Sequence, residues 1–326
     1  MMKNYFIKCF HYIIIIEMRV RVCWRFVKVV AIAVLVFTVP SLFCRLTFSK
    51  RHSQTGPLPA EDQRILSPKT YRYIFNQPAV CKNHTPFLVL LVPVAPAQEE
   101  AREVVRRTWG ASGEDCLTLF FIGVSNRGRP QRLLEENRAH GDIIQMDFQD
   151  SYQNLTIKTM MMMNWLSVYC SHASYAMKVD ADIFVNVFRL VKHLRSSPRH
   201  SFITGSVISD GVPRRDSSSK WYVSKQQYPE DTFPWYVSGA GYVFSTDLAA
   251  RISWASTHVH MIPLEDVYVG LCLQVLGVRP VYSRTLIPFR NLFEIQHLEY
   301  DRCTFAKLII LSRHGCVVSP MRLIPL

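Results

Sequence analysis

Two aspartates one residue apart are the first feature of this sequence able to do chemistry. They lie in Tyr175-Ala-Met-Lys-Val-Asp180-Ala-Asp182-Ile-Phe-Val-Asn186, directly after an apolar run. Hard divalent cations take oxygen ligands, and an Asp-x-Asp spacing offers one carboxylate to a metal and another to a ribose or a water. A metal held there would neutralise a diphosphate and stabilise it as a leaving group. The same spacing also occurs in solvated turns, so position has to decide. Ser238-Gly239-Ala240-Gly241 supplies small residues where a backbone can approach a ligand. It is not a nucleophile elbow, because Tyr236 stands where G-x-S-x-G needs its first glycine. Arg102 and Arg106, four apart, share a helix face and can approach phosphates or make surface salt bridges. Trp235 and Tyr236 suit either a sugar face or the core. Glu265-Asp266 reads, by itself, as a helix-start pair complementing the macrodipole ahead of Val267–Leu276.

The elements that would carry these residues follow from hydrophobic patterning. Phe87–Val94 is a continuous apolar run, as expected of a strand buried on both faces. Helices are expected over Gln98–Trp109, Gln131–His140 and Leu155–Cys170, with strands over Leu117–Gly123, Asp142–Met146 and Tyr175–Asp180. Met160–Met163 reads as the apolar core of the third helix. Alternating strands and helices imply crossover units and a mostly parallel sheet covered on both faces. Ligands of such sheets bind outside the carboxyl ends of the strands, and Asp180 and Asp182 stand at one such end. Residues 45–80, dotted with Pro57, Pro59, Pro68 and Pro78, read as a stem, with the catalytic domain expected over 81–326.

Five blocks in fixed order carry a resemblance. Phe87-Leu-Val-Leu-Leu-Val with Glu100-Ala-Arg102…Arg106-Arg-Thr-Trp109-Gly110 resembles the opening of the β1,3-galactosyltransferase and β1,3-N-acetylglucosaminyltransferase family. Asp150-Ser-Tyr152-Gln-Asn154-Leu-Thr156-Ile-Lys158-Thr159 is similar to its D-x-Y-x-N-L-T-x-K-T block, and Lys178–Asn186 to its metal motif. Phe233-Pro-Trp-Tyr-Val-Ser-Gly-Ala-Gly-Tyr242 and Glu265-Asp-Val-Tyr-Val-Gly270 match its last two. The resemblance implies an α/β fold of GT-A type, with a Rossmann-like mixed sheet flanked by helices. It further implies a nucleotide-sugar donor, Mn²⁺, inversion at the sugar carbon, and Asp266 as general base. Asp180 then serves both donor and metal, Asp182 the metal, and His297 corresponds to a late family histidine that completes the metal shell. Arg102, Arg106, Ser238, Gly239 and Gly241 fall to donor binding. E-D-V-Y-V-G-L-C around Val269 leans towards the galactosyltransferase branch, so the expected reaction takes galactose from UDP-galactose to a GlcNAc or GalNAc of a glycoprotein or glycolipid. Two alternatives stay open: a β1,3-N-acetylglucosaminyltransferase, and a non-catalytic Golgi carbohydrate-binding protein. Ala181 departs from the Asp or Ser that relatives usually carry, and the resemblance fades after about Asp301.

Phe26–Cys44 is apolar apart from Lys28, long enough to span a thin bilayer, and preceded by Lys3, Lys8, Arg19, Arg21 and Arg25. It is expected to be a single N-terminal transmembrane helix, a signal-anchor. Residues 1–25 would then face the cytosol and residues 45–326 the lumen, in a single-pass type II protein of the Golgi membrane. A cleaved signal peptide fits less well, because the basic preamble is long and no small-residue cleavage site adjoins Pro40. Cys81, Cys116, Cys170, Cys272, Cys303 and Cys316 follow the anchor, an even number that suggests bridges in an oxidising compartment with the pairing left open. Asn83 and Asn154 head N-x-[ST] sequons. The net charge of +13 suits phosphate-bearing ligands or an anionic membrane surface. With no zinc-finger spacing and no basic run interleaved with aromatics, no nucleic-acid partner is expected.

Overall fold

The computed structural model describes residues 71–82, 85–125, 130–286 and 305–307. The segment expected to span the membrane, and Asn83 and His297, lie outside these residues. Among the described residues no helix is long and apolar enough to cross a membrane.

The apolar runs become strands because both of their faces are covered. β1 (Tyr73–Phe75), β2 (Leu88–Pro93), β3 (Cys116–Val124), β4 (Ile143–Gln149) and β5 (Tyr175–Val179) alternate with α1 (Glu99–Arg107), α2 (Pro130–His140) and α3 (Leu155–Tyr169). After them come β6 (Ile183–Val185), α4 (Val187–Leu194), β7 (Ile203–Ile208), β8 (Tyr236–Ser245), α5 (Asp247–Ala255), α6 (Glu265–Val275), β9 (Val281–Tyr282) and β10 (Phe305–Lys307). The main sheet runs β1-β4-β3-β2-β5-β8-β7-β9. Successive side chains along β2 point to opposite faces. Val89 and Leu91 join the core under α3, α5 and α6, and Leu88, Leu90 and Val92 join the core under α1, α2 and α4. Met160–Met163 of α3 are all buried in the first of these cores, as expected. Each such side chain contributes about 1.5–3 kcal/mol relative to exposure.

The sheet is mixed, as the resemblance implied, and not mostly parallel, as the alternation of strands and helices suggested. β4, β3, β2 and β5 run parallel, but β8 is antiparallel to both β5 and β7, and β1 is antiparallel to β4. Residues 71–80, part of the segment read as a stem, are among those described. β1 is an edge strand at Tyr73–Phe75, Tyr71 and Tyr73 pack on the core, and Trp165 donates its indole N–H to Asn76 at 2.7 Å. Aromatics at alternate positions made this segment sheet-competent despite the prolines around it.

A bridge between Cys81 and Cys170, with Cα atoms 5.4 Å apart, fastens the chain just after β1 to the end of α3. Closing a loop of 89 residues stabilises by roughly 4–5 kcal/mol in the chain-entropy view. Cys116 and Cys272 are instead buried thiols, each pushed up to about 12 chiefly by burial.

Candidate active site

The antiparallel entry of β8 beside β5 creates the site. Val179 pairs with Gly241, and the Asp180 N–H donates to the Ala240 carbonyl at 3.1 Å. The carboxyl end of one strand therefore meets the beginning of another, and Asp180 faces Ser238-Gly239-Ala240. β5 stops at Val179 because the chain turns there, the Ile183 N–H closing on the Asp180 carbonyl at 3.1 Å. Asp182, in the turn, is exposed, and the Asp180 side chain is 41% exposed. β10 pairs antiparallel with β6, Lys307 opposite Ile183, so the late segment of the chain returns beside this turn.

Lys178 organises the floor. Its side chain is 4% exposed, and the ammonium contacts Asp180 Oδ1 at 2.8 Å and Glu265 Oε1 at 2.9 Å and donates to the Gly239 carbonyl. Burial acts to lower its pKa, but the two carboxylates outweigh it and the ammonium is held above its ordinary range. Glu265 is only 6% exposed, and its other oxygen accepts from Thr159 at 3.2 Å and Tyr242 at 3.5 Å. Burial, against the pull of Lys178, raises its carboxyl to about 7. Asp266 accepts the Gly239 N–H at 3.1 Å on one oxygen and the Val267 N–H at 2.9 Å on the other. Burial raises its pKa too, opposed by those backbone donors. Two close approaches explain the glycines of the last two motifs. A Cβ on Gly239 would sit 2.6 Å from Glu265 Oε1, and one on Gly270 2.7 Å from the Tyr236 Cβ.

A second buried pair braces the neighbouring strand ends. Lys158 of α3 contacts both oxygens of Asp150, at 2.9 and 2.8 Å, and the Val94 carbonyl at 2.8 Å. Asp150 in turn accepts the Gly123 N–H at 2.8 Å. One charge pair thus ties the carboxyl ends of β2, β3 and β4 to the first turns of α3. Tyr152, 44% exposed, feels the charges of Asp266, Glu265 and Asp180. Trp221 is 48% exposed.

Of the residues expected in the site, Asp180, Gly239 and Asp266 are brought together, with Ser238 half-buried and Gly241 buried on the same strand, and Asp182 exposed at the turn. Arg102 and Arg106 are not among them. Arg102 is 1% exposed and grips Glu136 at 2.6 and 2.8 Å and the carbonyls of Ala95 and Pro96. Arg106 is paired with Asp142 and Glu136 at 2.8 Å each. These guanidinium groups hold α1 to α2 and to the loop after β2, a buried version of the salt bridging that was the alternative to phosphate contact. Trp235 is 40% exposed, but Arg279 lies over its ring at 3.7 Å. The Asn154 side chain donates to the Gln149 carbonyl at 2.8 Å, and Thr156 of its sequon is buried on the Ile262 carbonyl at 2.7 Å. Lys178, Glu265, Tyr152 and Trp221 were not anticipated. A lysine inside the apolar run Tyr175–Val179 was the available signal, because a buried charge demands a partner.

Among the described residues no group of three or more His, Cys, Asp or Glu is arranged to hold a metal. The donor set does fit a cation shared with a substrate. Asp180 and Asp182 offer accessible carboxylate oxygens on one turn, and a Mg²⁺-like ion is usually held by one or two carboxylates together with phosphate oxygens.

Residues 100–284 match the family model described as galactosyltransferase. β-1,3-Galactosyltransferase 2 of Homo sapiens is 42% identical over 251 residues, covering 73% of this chain and 58% of that protein. β-1,3-Galactosyltransferase 1 of Mus musculus is 37% identical over 282 residues, 84% of this chain and 83% of that protein. The chain thus spans little more than half the length of the first relative and most of the second. A crystal structure of the galactosyltransferase LgtC with donor and acceptor sugar analogs aligns over 68% of this chain and 86% of that one, at 11% identity and a TM-score of 0.37, too low to bear on the argument. With the site's motifs in place and these relatives matched across it, the chain belongs to the β-1,3-galactosyltransferase family.

Proposed function

We propose that this chain is a hexosyltransferase that moves galactose from UDP-galactose to a glycan acceptor on a glycoprotein or glycolipid, inverting the sugar carbon to leave a β1,3 linkage. The observation that carries the reading is the meeting of two carboxylates with different environments across one peptide. Asp180 is open to solvent beside Gly239, and Asp266, largely withdrawn from it, is bonded to the Gly239 N–H.

The residues divide the work as follows. Asp180 and Asp182 would hold Mn²⁺, whose charge would neutralise the diphosphate of the donor and favour its departure. Asp266, fixed by two N–H donors, takes the proton of the acceptor hydroxyl as that oxygen attacks the anomeric carbon. Burial raises its pKa, which makes it a stronger base than an exposed aspartate. Ser238, Gly239 and Gly241 are the proposed donor-binding stretch of β8. Tyr152 and Trp221, both partly exposed, offer aromatic faces to a sugar. His297 belongs to the same proposal as a third metal ligand.

The chain is further proposed to sit in the Golgi membrane as a type II protein, with residues 26–44 as anchor and residues 45–326 in the lumen. The Cys81–Cys170 bridge supports this, since such bridges persist in oxidising compartments. In sealed microsomes the C-terminus is expected to resist added protease until detergent is present. Digestion without detergent would exclude the topology.

The reaction is tested by incubating the full-length protein with Mn²⁺ and a GlcNAc-terminated acceptor, supplying UDP-galactose or UDP-N-acetylglucosamine. Galactose transfer with a β1,3 linkage is expected. Preferential transfer of N-acetylglucosamine would move the chain to the sister branch, and acceptor binding without turnover of either donor would make it a carbohydrate-binding protein.

A further inference from the structure

We propose that Lys178 and Glu265 are positioning residues that hold the donor-side and acceptor-side carboxylates in one rigid unit, with the Gly239 peptide as the link. The inference rests on the reading of Asp180 and Asp266 given above, and assigns roles to two residues that neither contact substrate nor bind metal in that reading.

The chain of contacts is continuous. Glu265 Oε1 lies 2.9 Å from the Lys178 ammonium, a charge contact rather than an aligned hydrogen bond. Lys178 grips Asp180 Oδ1 at 2.8 Å and the carbonyl of Gly239. The N–H of that same Gly239 is bonded to Asp266 at 3.1 Å. Gly239 is therefore held at its carbonyl by Lys178 and at its N–H by Asp266, and its missing side chain is what admits Glu265. Glu265 is anchored from behind by Thr159 of α3 and Tyr242 of β8. An acid that merely complemented a helix dipole would stand in solvent, whereas Glu265 is 6% exposed. A buried ammonium with two carboxylates in reach is fixed in place much more firmly than a solvated one, because moving it would separate charges in a medium of low dielectric.

The two residues differ in what they reach. Lys178 touches both sides, Asp180 directly and Asp266 through Gly239. Glu265 touches the donor side only through Lys178, and Asp266 directly follows it at the start of α6. Misplacement of reacting groups by about 1 Å can lower rate by about 10²-fold. Glu265→Gln, which keeps size and one acceptor oxygen while removing charge, is thus expected to lower kcat about 10–100-fold and leave the Kd for UDP with Mn²⁺ within about threefold. Lys178→Met is expected to lower kcat at least as much and also to weaken UDP binding with Mn²⁺ by tenfold or more, because Asp180 loses its anchor.

The experiment measures kcat with UDP-galactose, Kd for UDP with Mn²⁺ by calorimetry, and the thermal midpoint, for full-length wild type and both variants. A residue with only a structural role would lower the midpoint and the active fraction together, with no split between kcat and Kd. Should Glu265→Gln not fold, Thr159→Val loosens the same carboxylate while keeping its charge, and is expected to give a smaller fall in kcat at unchanged Kd. Wild-type kcat in folded Glu265→Gln or, failing its folding, in Thr159→Val overturns the inference alone. A wild type that turns over no UDP-sugar overturns the functional reading and this inference with it.

Discussion

Asp266→Asn is expected to lower turnover by roughly 10²–10⁴-fold, the usual worth of a general base, while donor affinity changes little. The geometry explains the asymmetry. The amide keeps one oxygen for the Gly239 or Val267 N–H and loses the other bond, so the local structure weakens by about 0.5–1.5 kcal/mol, yet no donor or metal ligand is removed. Because burial holds the Asp266 carboxyl above its ordinary range, the acid limb of the wild-type kcat profile should lie above that of an exposed aspartate. The base is lost as pH falls through that raised value, and the Asn variant should lack this limb. The sequence alone would have nominated Glu265→Gln as the control, but Glu265 is built into the site. Asp247→Asn serves better. Asp247 also stands in the first turn of a helix and accepts from the Ser201 N–H and the Ser245 hydroxyl, and Ser245 pairs with Tyr175 at the far end of β5. It should lose stability and retain turnover. Equal activity of Asp266→Asn and Asp247→Asn would overturn the base assignment.

The other large effect belongs to Asp182→Asn. An uncharged amide is a poor ligand for a hard cation. Metal stabilisation of a departing diphosphate is worth several kcal/mol, so transfer should fall by about 10²-fold or more. Unlike the Asp266 variant, this one should also weaken UDP binding in the presence of Mn²⁺ and show little difference in its absence. Asp182 is exposed at a turn, so the fold should tolerate the change. Wild-type activity that persists in full after chelation would remove the metal from the reaction.

The parts of this molecule written locally were legible. β2 was expected over Phe87–Val94 and runs Leu88–Pro93, and α3 was expected over Leu155–Cys170 and ends one residue earlier, because unbroken apolar runs and helical composition declare themselves within a few residues. Asp180 and Asp266 could be singled out because their motifs stood in order. What failed to show was everything that depends on a distant partner. The guanidinium groups of Arg102 and Arg106 looked available until α2 supplied Glu136, and Asp142 followed it. Glu265 looked like a surface acid until Lys178, Thr159 and Tyr242 surrounded it. β8 was not among the expected strands at all, since Ser238-Gly239-Ala240-Gly241 interrupts its apolar pattern. Tyr73–Phe75 was masked by prolines that belong to its flanks.

The pairing of β5 with β8 also sets an order of assembly during synthesis. A chain made from its N-terminus completes Lys178, Asp180 and Asp182 while Gly241, the partner of Val179, is still about sixty residues away. Until β8 and then α6 dock, the Lys178 ammonium has no Glu265, and burying it would leave a charge inadequately paired. Contacts of such long sequence separation form slowly, because loop closure precedes their reward. The pairing therefore acts as a completion check: the carboxylates of Asp180 and Asp266 come into register only in a chain that has folded through residue 266, and a nascent or truncated fragment ending before β8 carries Asp180 and Asp182 without their opposite number.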